Sequence, residues 1–278
     1  MTYCVALRLD AGLVFLSDAR TNAGIDQIST FRKMSLVERP GDRVIVMMSA
    51  GNLAITQAVR QVLAENMEHA NGLLSAESMY DVAQRVGDAV RFVYQRDAKA
   101  LQQFGIDFNC SLIVGGQIGR ERCRIFEVYS AGNFIECAEE KPYLQIGESK
   151  YGKPILDRVI RPETSLGDAA KCAIVSMDST LRSNLSVGLP LDMLVYKTDS
   201  LEITHFTHID ATNAYFNAIH DLWGEKLKEV FSSLPNPIWT ETSAEEARLV
   251  SLRVGNSMET RPTHPIQTLA GQQQNQTG

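Results

Sequence analysis

Four strand-patterned segments follow one another before any helical one, and this order constrains the fold more than any other feature of the chain. Tyr3–Leu9 and Gly12–Asp18 alternate with the period of a strand and flank an "LDAG" turn signal, so they read as a hairpin. "STFRKMSLV" reads as a third strand, and "DRVIVMMSA", after the "ERPGD" turn, as a fourth. Two helices come next. The first runs from Asn52 to about Asn66, with Ile55, Val59, Val62 and Leu63 on one face. The second runs from Ala76 to about Phe104, where Met79, Val82, Val86, Val90 and Val93 step by three and four. Strands return at "DFNCSLIVGG", "RCRIFEVYS" and "NFIECAEEK", and helices at Pro154–Ile160 and Ser165–Leu181. In the latter, Leu166, Ala170, Ile174, Met177 and Leu181 share a face, and Ser165 with Asp168 forms a capping-box signature. "LDMLVYKT" and "LEITHFTH" read as another hairpin, and Asn213–Ser232 as a last long helix carrying Tyr215, Ile219, Leu222, Leu227 and Val230. Mostly antiparallel sheets alternating with helix pairs imply an α+β architecture in which helices cover both outer faces of two stacked sheets.

The chain of 278 residues is long enough for a sizeable core. Residues 1–235 are expected to form the folded domain. Residues 236–278 are expected to be an extension that ends in a mobile tail, since "THPIQTLAGQQQNQTG" is too polar to bury much. The net charge of −6 argues against nucleic acid as a partner, because phosphate binding needs a basic face. No apolar run approaches the ~18 residues of a membrane span. Arg8 and Asp10 interrupt the first segment, so it does not read as the core of a signal peptide. The five cysteines are odd in number, widely spread and without a C-x-x-C pair, which reads as reduced thiols in a cytoplasmic protein.

A hydroxyl residue, Thr2, stands directly behind Met1, at the start of the first strand. With a three-residue turn at Asp10–Ala11–Gly12, Leu9 pairs with Leu13, Thr2 faces Arg20, and Asp18 becomes a diagonal neighbour of Thr2. Lys33 lies on the third strand, two positions beyond Phe31. Each of these charges taken alone reads as a solvated surface group. Gathered at one strand end beside a terminal amine, they suggest chemistry.

A threonine hydroxyl is a weak nucleophile until a base takes its proton. With Met1 removed, Thr2 carries its own base, since a free α-amine has a pKa of about 7.7–8.0, near the working pH. Lys33 would hold that amine neutral by like-charge repulsion, and Asp18 would keep Lys33 charged and oriented. "MMSAGNLA", where the fourth strand turns into a helix, offers backbone N–H groups for an oxyanion, and Gly51 allows close approach.

"T-Y-C-V-A", "SDARTN", "FRKM", "SAGN", "LIVGG", "QIGESKYGKPILD" and "RSNLSVGLPLDMLVY" occur in that order between Thr2 and Phe231. Together they resemble the proteasome β-subunit family of N-terminal nucleophile hydrolases, which includes the bacterial HslV peptidase. The resemblance implies a four-layer αββα sandwich. It implies Thr2 as nucleophile, Asp18 and Lys33 as its charge partners, and the Gly51 amide as oxyanion donor, with a peptide running along Asn22 and Leu53. Proteasome subunits also carry a Ser and an Asp-x-x-Ser near the amine. Here Ser186 matches the last serine, Ser183 stands where the Asp is expected, and Glu148 or Ser149 takes the other serine's place. Arg20 supports the site from "SDARTN". No propeptide is expected, so that methionine removal alone would expose Thr2.

The expected activity is a threonine-type peptidase or amidase that needs no cofactor or metal. Its alternatives are a catalytically weak assembly or peptide-binding protein and an acyl-transfer enzyme. The expected partners are a peptide or unfolded-protein substrate and further copies of the chain, as a ring or open spiral built from dimers; no unfoldase partner can be named. Other signals carry less. "GESKYGKP" mimics a phosphate loop, but Pro154 stands where the Mg²⁺-binding hydroxyl belongs and suits a helix start instead. "GGQIGRE" reads as a hairpin turn. His205 and His208, three apart on a strand, point to opposite faces and do not make a metal site. Trp223 reads as core or interface.

Overall fold

The computed structural model describes residues 2–22 and 28–237, with the backbone alone for 22, 28 and 29. Residues up to Ser232 form one compact unit. The tail expected to be mobile lies, from residue 238 on, outside the described residues. Among the described residues no helix is long and apolar enough to cross a membrane.

Two five-stranded antiparallel sheets make the centre. The first joins β1 (Tyr3–Leu9), β2 (Gly12–Asp18), β10 (Tyr143–Gly147), β11 (Leu191–Lys197) and β12 (His205–Ile209) in the order β10-β1-β2-β11-β12. The second runs β5-β6-β7-β8-β9, from Met34–Arg39, Arg43–Gly51, Cys110–Ile118, Arg124–Val128 and Phe134–Glu136. A separate ribbon pairs β3 (Arg20–Asn22) with β4 (Ile28–Thr30). Helices α1 (Leu53–Glu65) and α2 (Met79–Gln103) cover the second sheet. Helices α3 (Lys153–Val159), α4 (Leu166–Ser183) and α5 (Ala214–Ser233) belong with the first.

Strand alternation builds three apolar layers from this arrangement. On β1, Tyr3, Val5, Leu7 and Leu9 turn toward α3 and α4, where they meet Leu156, Ala173 and Met177. Cys4 and Ala6 turn the other way, to meet Val46, Met48 and Ile113 of the facing sheet. Beyond that sheet, Ile45 and Val114 pack on Val59, Val82, Val86 and Val90. Three cores between four layers are the αββα sandwich. The Ser165 hydroxyl accepts the Asp168 N–H at 3.1 Å and donates to Asp168 Oδ2 at 2.9 Å, so Ser165 caps α4 as expected. All five cysteines are free and buried. Pro154 stands in the first turn of α3; of "GGQIGRE", Gly115–Ile118 belong to β7 and only Gly119–Glu121 lie in the β7–β8 turn.

Four details depart from the sequence reading. The first hairpin turns on two residues, so Leu9 pairs with Gly12 and Cys4 with Ser17. Gly12 belongs to the strand because β11 packs against it: a Cβ there would lie 2.0 Å from the Tyr196 carbonyl oxygen. The expected facing of Thr2 with Arg20 is therefore off by one residue. "STFRKMSLV" is not one strand; β4 and β5 are separated by Phe31, Arg32 and Lys33, and the Phe31 N–H bonds back to Ala19 O at 2.8 Å. β10 was not expected. It is short and its apolar residues are only Tyr143, Leu144 and Ile146, so it offers little pattern of its own. On α5 only Phe216 is buried, whereas Tyr215, Leu222, Leu227 and Phe231 stay about half exposed or more.

Candidate active site

β1, β2, β6 and β10 all end or begin at one end of the sandwich. There a cavity of about 620 Å³ is lined by Thr2, Arg20, Lys33, Gly51 and Leu53, which the sequence pointed to. Phe31, Ser49, Thr56, Asn109 and Gly147 complete much of the wall, and none of them stood out as a site residue from its type and spacing. Asp18 lies beneath, fully buried. For Asn22 the backbone is placed in β3, opposite Ile28.

The two-residue turn sets Asp18 one rung from where the longer turn would put it, opposite Tyr3. Its Oδ1 accepts the Tyr3 N–H at 2.9 Å, and its Oδ2 accepts Lys33 Nζ at 2.6 Å. Lys33 Nζ also donates to Arg20 O at 2.7 Å. The ammonium thus bridges the end of β2 and the start of β3 while its own chain crosses between β4 and β5. Burial pushes the Asp18 carboxyl above its ordinary range; Lys33 and the Tyr3 N–H pull it back only in part. Arg20 donates Nη1 to Leu185 O at 3.0 Å and lies flat on Gly188, where a Cβ would come within 2.1 Å of the guanidinium carbon. It ties the loop after α4 to the site.

Gly51 ends β6 with φ +114°, and a Cβ there would lie 2.4 Å from Asn109 O. Alternation fixes where its amide points. The Ser49 N–H bonds toward β5, to Lys33 O at 3.2 Å, and the Asn52 N–H bonds toward β7, to Asn109 O at 2.9 Å. Gly51, between them in phase with Ser49, turns its N–H to the β5 side, past the first residue of that strand and toward the cavity. Asn52 then caps α1 by accepting the Ala54 N–H at 3.0 Å.

β10 closes the other side. Tyr3 pairs with Gly147, and the Glu148 N–H donates to Thr2 O at 2.7 Å. Gly147 has φ +81°, and a Cβ there would lie 1.9 Å from Thr2 O, so only glycine lets the two backbones approach this closely. Of the two residues left open by sequence, Glu148 is buried and Ser149 half-buried, with the Ser149 N–H turned to Gly147 O at 3.1 Å. Ser183 is exposed at the end of α4. The residue that reaches toward Thr2's neighbourhood is its successor, Asn184, whose Nδ2 donates to Glu148 Oε2 at 2.8 Å. Ser186 contributes its backbone N–H, to Asn184 Oδ1 at 2.9 Å. His208 holds Asp192 through Nδ1 at 2.8 Å, on the far edge of the first sheet.

A family model described as proteasome subunit matches residues 2–195. The chain belongs to the Anbu branch of the proteasome family. It is 49% identical to Anbu (ancestral beta-subunit) from Yersinia bercovieri, over 86% of this chain and all of that one, with a TM-score of 0.81. The Anbu chain from Pseudomonas aeruginosa, solved as a helical assembly, is 46% identical over 86% of this chain and 100% of its own, with a TM-score of 0.83. A Gly-1 mutant of Anbu from Hyphomicrobium sp. strain MC1 is likewise 46% identical, with the same coverage and a TM-score of 0.81. Among curated proteins no match is found.

Proposed function

We propose that this chain is a threonine-type peptidase or amidase whose nucleophile is Thr2, made terminal by removal of Met1. The observation that carries the reading is the shared cavity: Thr2, Lys33 and the Gly51 end of β6 line it together, over a buried Lys33–Asp18 pair. A buried ion pair is a poor source of net stability, so its place at the wall of the cavity that Thr2 lines favours an electrostatic role.

In this reading Thr2 Oγ attacks the scissile carbonyl while its proton passes to the Thr2 α-amine. Lys33 keeps that amine neutral beforehand, and Asp18 holds Lys33. The oxyanion takes the Gly51 N–H. Collapse breaks the C–N bond, the α-ammonium returns its proton to the leaving amine, and an ester on Thr2 remains. Water releases the acid; an amine acceptor in its place would make the same site an acyl-transfer enzyme. An extended substrate would run between β3, at Asn22, and Leu53. Ser149, Ser183 and Ser186 are supporting residues in the family pattern. Here the Ser186 backbone is linked, by way of Asn184, to Glu148, whose N–H binds Thr2 O. A catalytically weak peptide-binding assembly is the competing reading.

We also propose homo-oligomerisation. Both outer helical layers keep large apolar residues about half exposed: Tyr80, Phe92 and Tyr94 on α2, and Leu222 and Leu227 on α5. The Pseudomonas aeruginosa relative forms a helical assembly. Hydrolysis of short fluorogenic peptides by the purified protein and by Thr2→Ala tests the catalytic reading. Loss of turnover in Thr2→Ala with an unchanged melting temperature supports it, and equal turnover places the nucleophile elsewhere.

A further inference from the structure

An amine that takes a proton in mid-reaction is stabilised by a nearby countercharge, and Asp18 is shared with a permanent cation. Asp18 already has a partner on each oxygen: one holds the Tyr3 N–H, the other the Lys33 ammonium. Lys33 and Arg20, the cations that line the cavity with Thr2, both disfavour an ammonium there. Across the ladder stands a second carboxylate. Tyr3 and Gly147 are the last partners of the β1–β10 ladder, and just beyond it the Glu148 N–H binds Thr2 O at 2.7 Å, which ties the Glu148 backbone to Thr2.

Glu148 is buried, and a buried carboxylate is costly without partners. Its Oε2 has one in Asn184 Nδ2 at 2.8 Å. The Ser186 N–H, bound to Asn184 Oδ1, fixes which way that amide faces. Among the described residues Oε1 has only Lys150 Nζ, at 3.4 Å, from a side chain that is 67% exposed. One carboxylate oxygen is thus clamped and the other only loosely engaged, beside the residue whose amine methionine removal would free.

We infer that Glu148 is the charge partner of the Thr2 α-amine, and that Asn184 is the positioning residue that holds it there. This rests on the reading of Thr2 as a terminal nucleophile. Lys33 and Glu148 then act on the amine with opposite signs. The cation keeps it unprotonated before attack, and the carboxylate stabilises the ammonium formed when Oγ gives up its proton. No atom is gained or lost: the proton moves from Oγ to the amine and on to the leaving group, and Glu148 stays ionised. A serine hydroxyl, which the family pattern places at Glu148 or Ser149, could hydrogen-bond the amine but not balance its charge.

The test titrates the amine itself, without using turnover. Intact mass first establishes that Met1 is absent. The protein is then labelled with limiting N-hydroxysuccinimidyl acetate across pH 5–10, and acetylated Thr2 is quantified by peptide mass spectrometry. Glu148→Gln keeps an acceptor for Asn184 and removes the charge, and its midpoint should fall by about one pH unit relative to the parent. Lys150→Met, a change at an exposed residue, unmasks the carboxylate and should move the midpoint the other way by a smaller amount. In Glu148→Gln the acid limb of peptide hydrolysis should move down with the amine. A parental midpoint in Glu148→Gln overturns the inference while leaving Thr2 as nucleophile intact. Full retention of Met1 overturns both.

Discussion

Replacing Lys33 by methionine removes the ammonium while roughly keeping the length of the side chain, and the structure says what this costs. Nζ makes two short hydrogen bonds, to Asp18 Oδ2 at 2.6 Å and Arg20 O at 2.7 Å. The side chains of the pair are 7% and 0% exposed, so water cannot take the lysine's place. Breaking a buried pair from one side costs about 3–5 kcal/mol, which for a unit of this size lowers the melting temperature by on the order of 10 °C. The loss depends on pH. Asp18 already has a carboxyl raised by burial, and without Lys33 it rises further. A folded carboxyl raised above its unfolded value binds more protons folded than unfolded, so stability falls as pH rises through the interval between the two. Lys33→Met should therefore be less destabilised at pH 5 than at pH 8. Adding Asp18→Asn should recover most of the loss and flatten the pH dependence, because no buried charge is then stranded. Thermal melts of parent, single and double variants at the two pH values read all of this. A single variant as stable as the parent at pH 8, or a double variant no better than the single, would refute the account of the pair.

Gly51→Ala has no room for its methyl, 2.4 Å from Asn109 O at φ +114°, and should lose about a hundredfold or more in peptide turnover as the oxyanion donor turns away; parental turnover would remove Gly51 from the mechanism. Intact mass of the protein from its native host should show complete loss of Met1, and full retention would leave Thr2 without an amine to act as base. Light scattering at micromolar concentration should show a species of many subunits; a single species near 30.8 kDa at all salt concentrations would contradict assembly.

What could be read before the structure followed from how local each signal is. α2 and α4 showed plainly because their stripes repeat over many turns and Ser165 marks a start that no tertiary contact has to supply. The layering followed from element order, and Thr2, Lys33 and Gly51 from the chemistry of their types and their places in the resemblance. The one-residue error in the first hairpin has a non-local cause: the Tyr196 carbonyl, far along the chain, occupies the space a side chain at Gly12 would need. β10 likewise gets its strand character from pairing with β1 rather than from its own five residues. The break at Phe31–Lys33 is hidden by apolar neighbours that continue the strand pattern, although Phe31 turns back to Ala19. Glu148 and Asn184 are 36 positions apart, and nothing in sequence announces that they meet. The family pattern suggested Ser183 where the fold presents Asn184.

In the proposed mechanism Thr2 forms the covalent intermediate. Incubation with a peptide vinyl sulfone, followed by digestion and peptide mass spectrometry, tests it directly. The account predicts one adduct per chain on the Thr2 peptide, absent from Thr2→Ala and strongly slowed in Lys33→Met under conditions where that variant remains folded. An adduct on another residue, or equal labelling of Thr2→Ala, would contradict it.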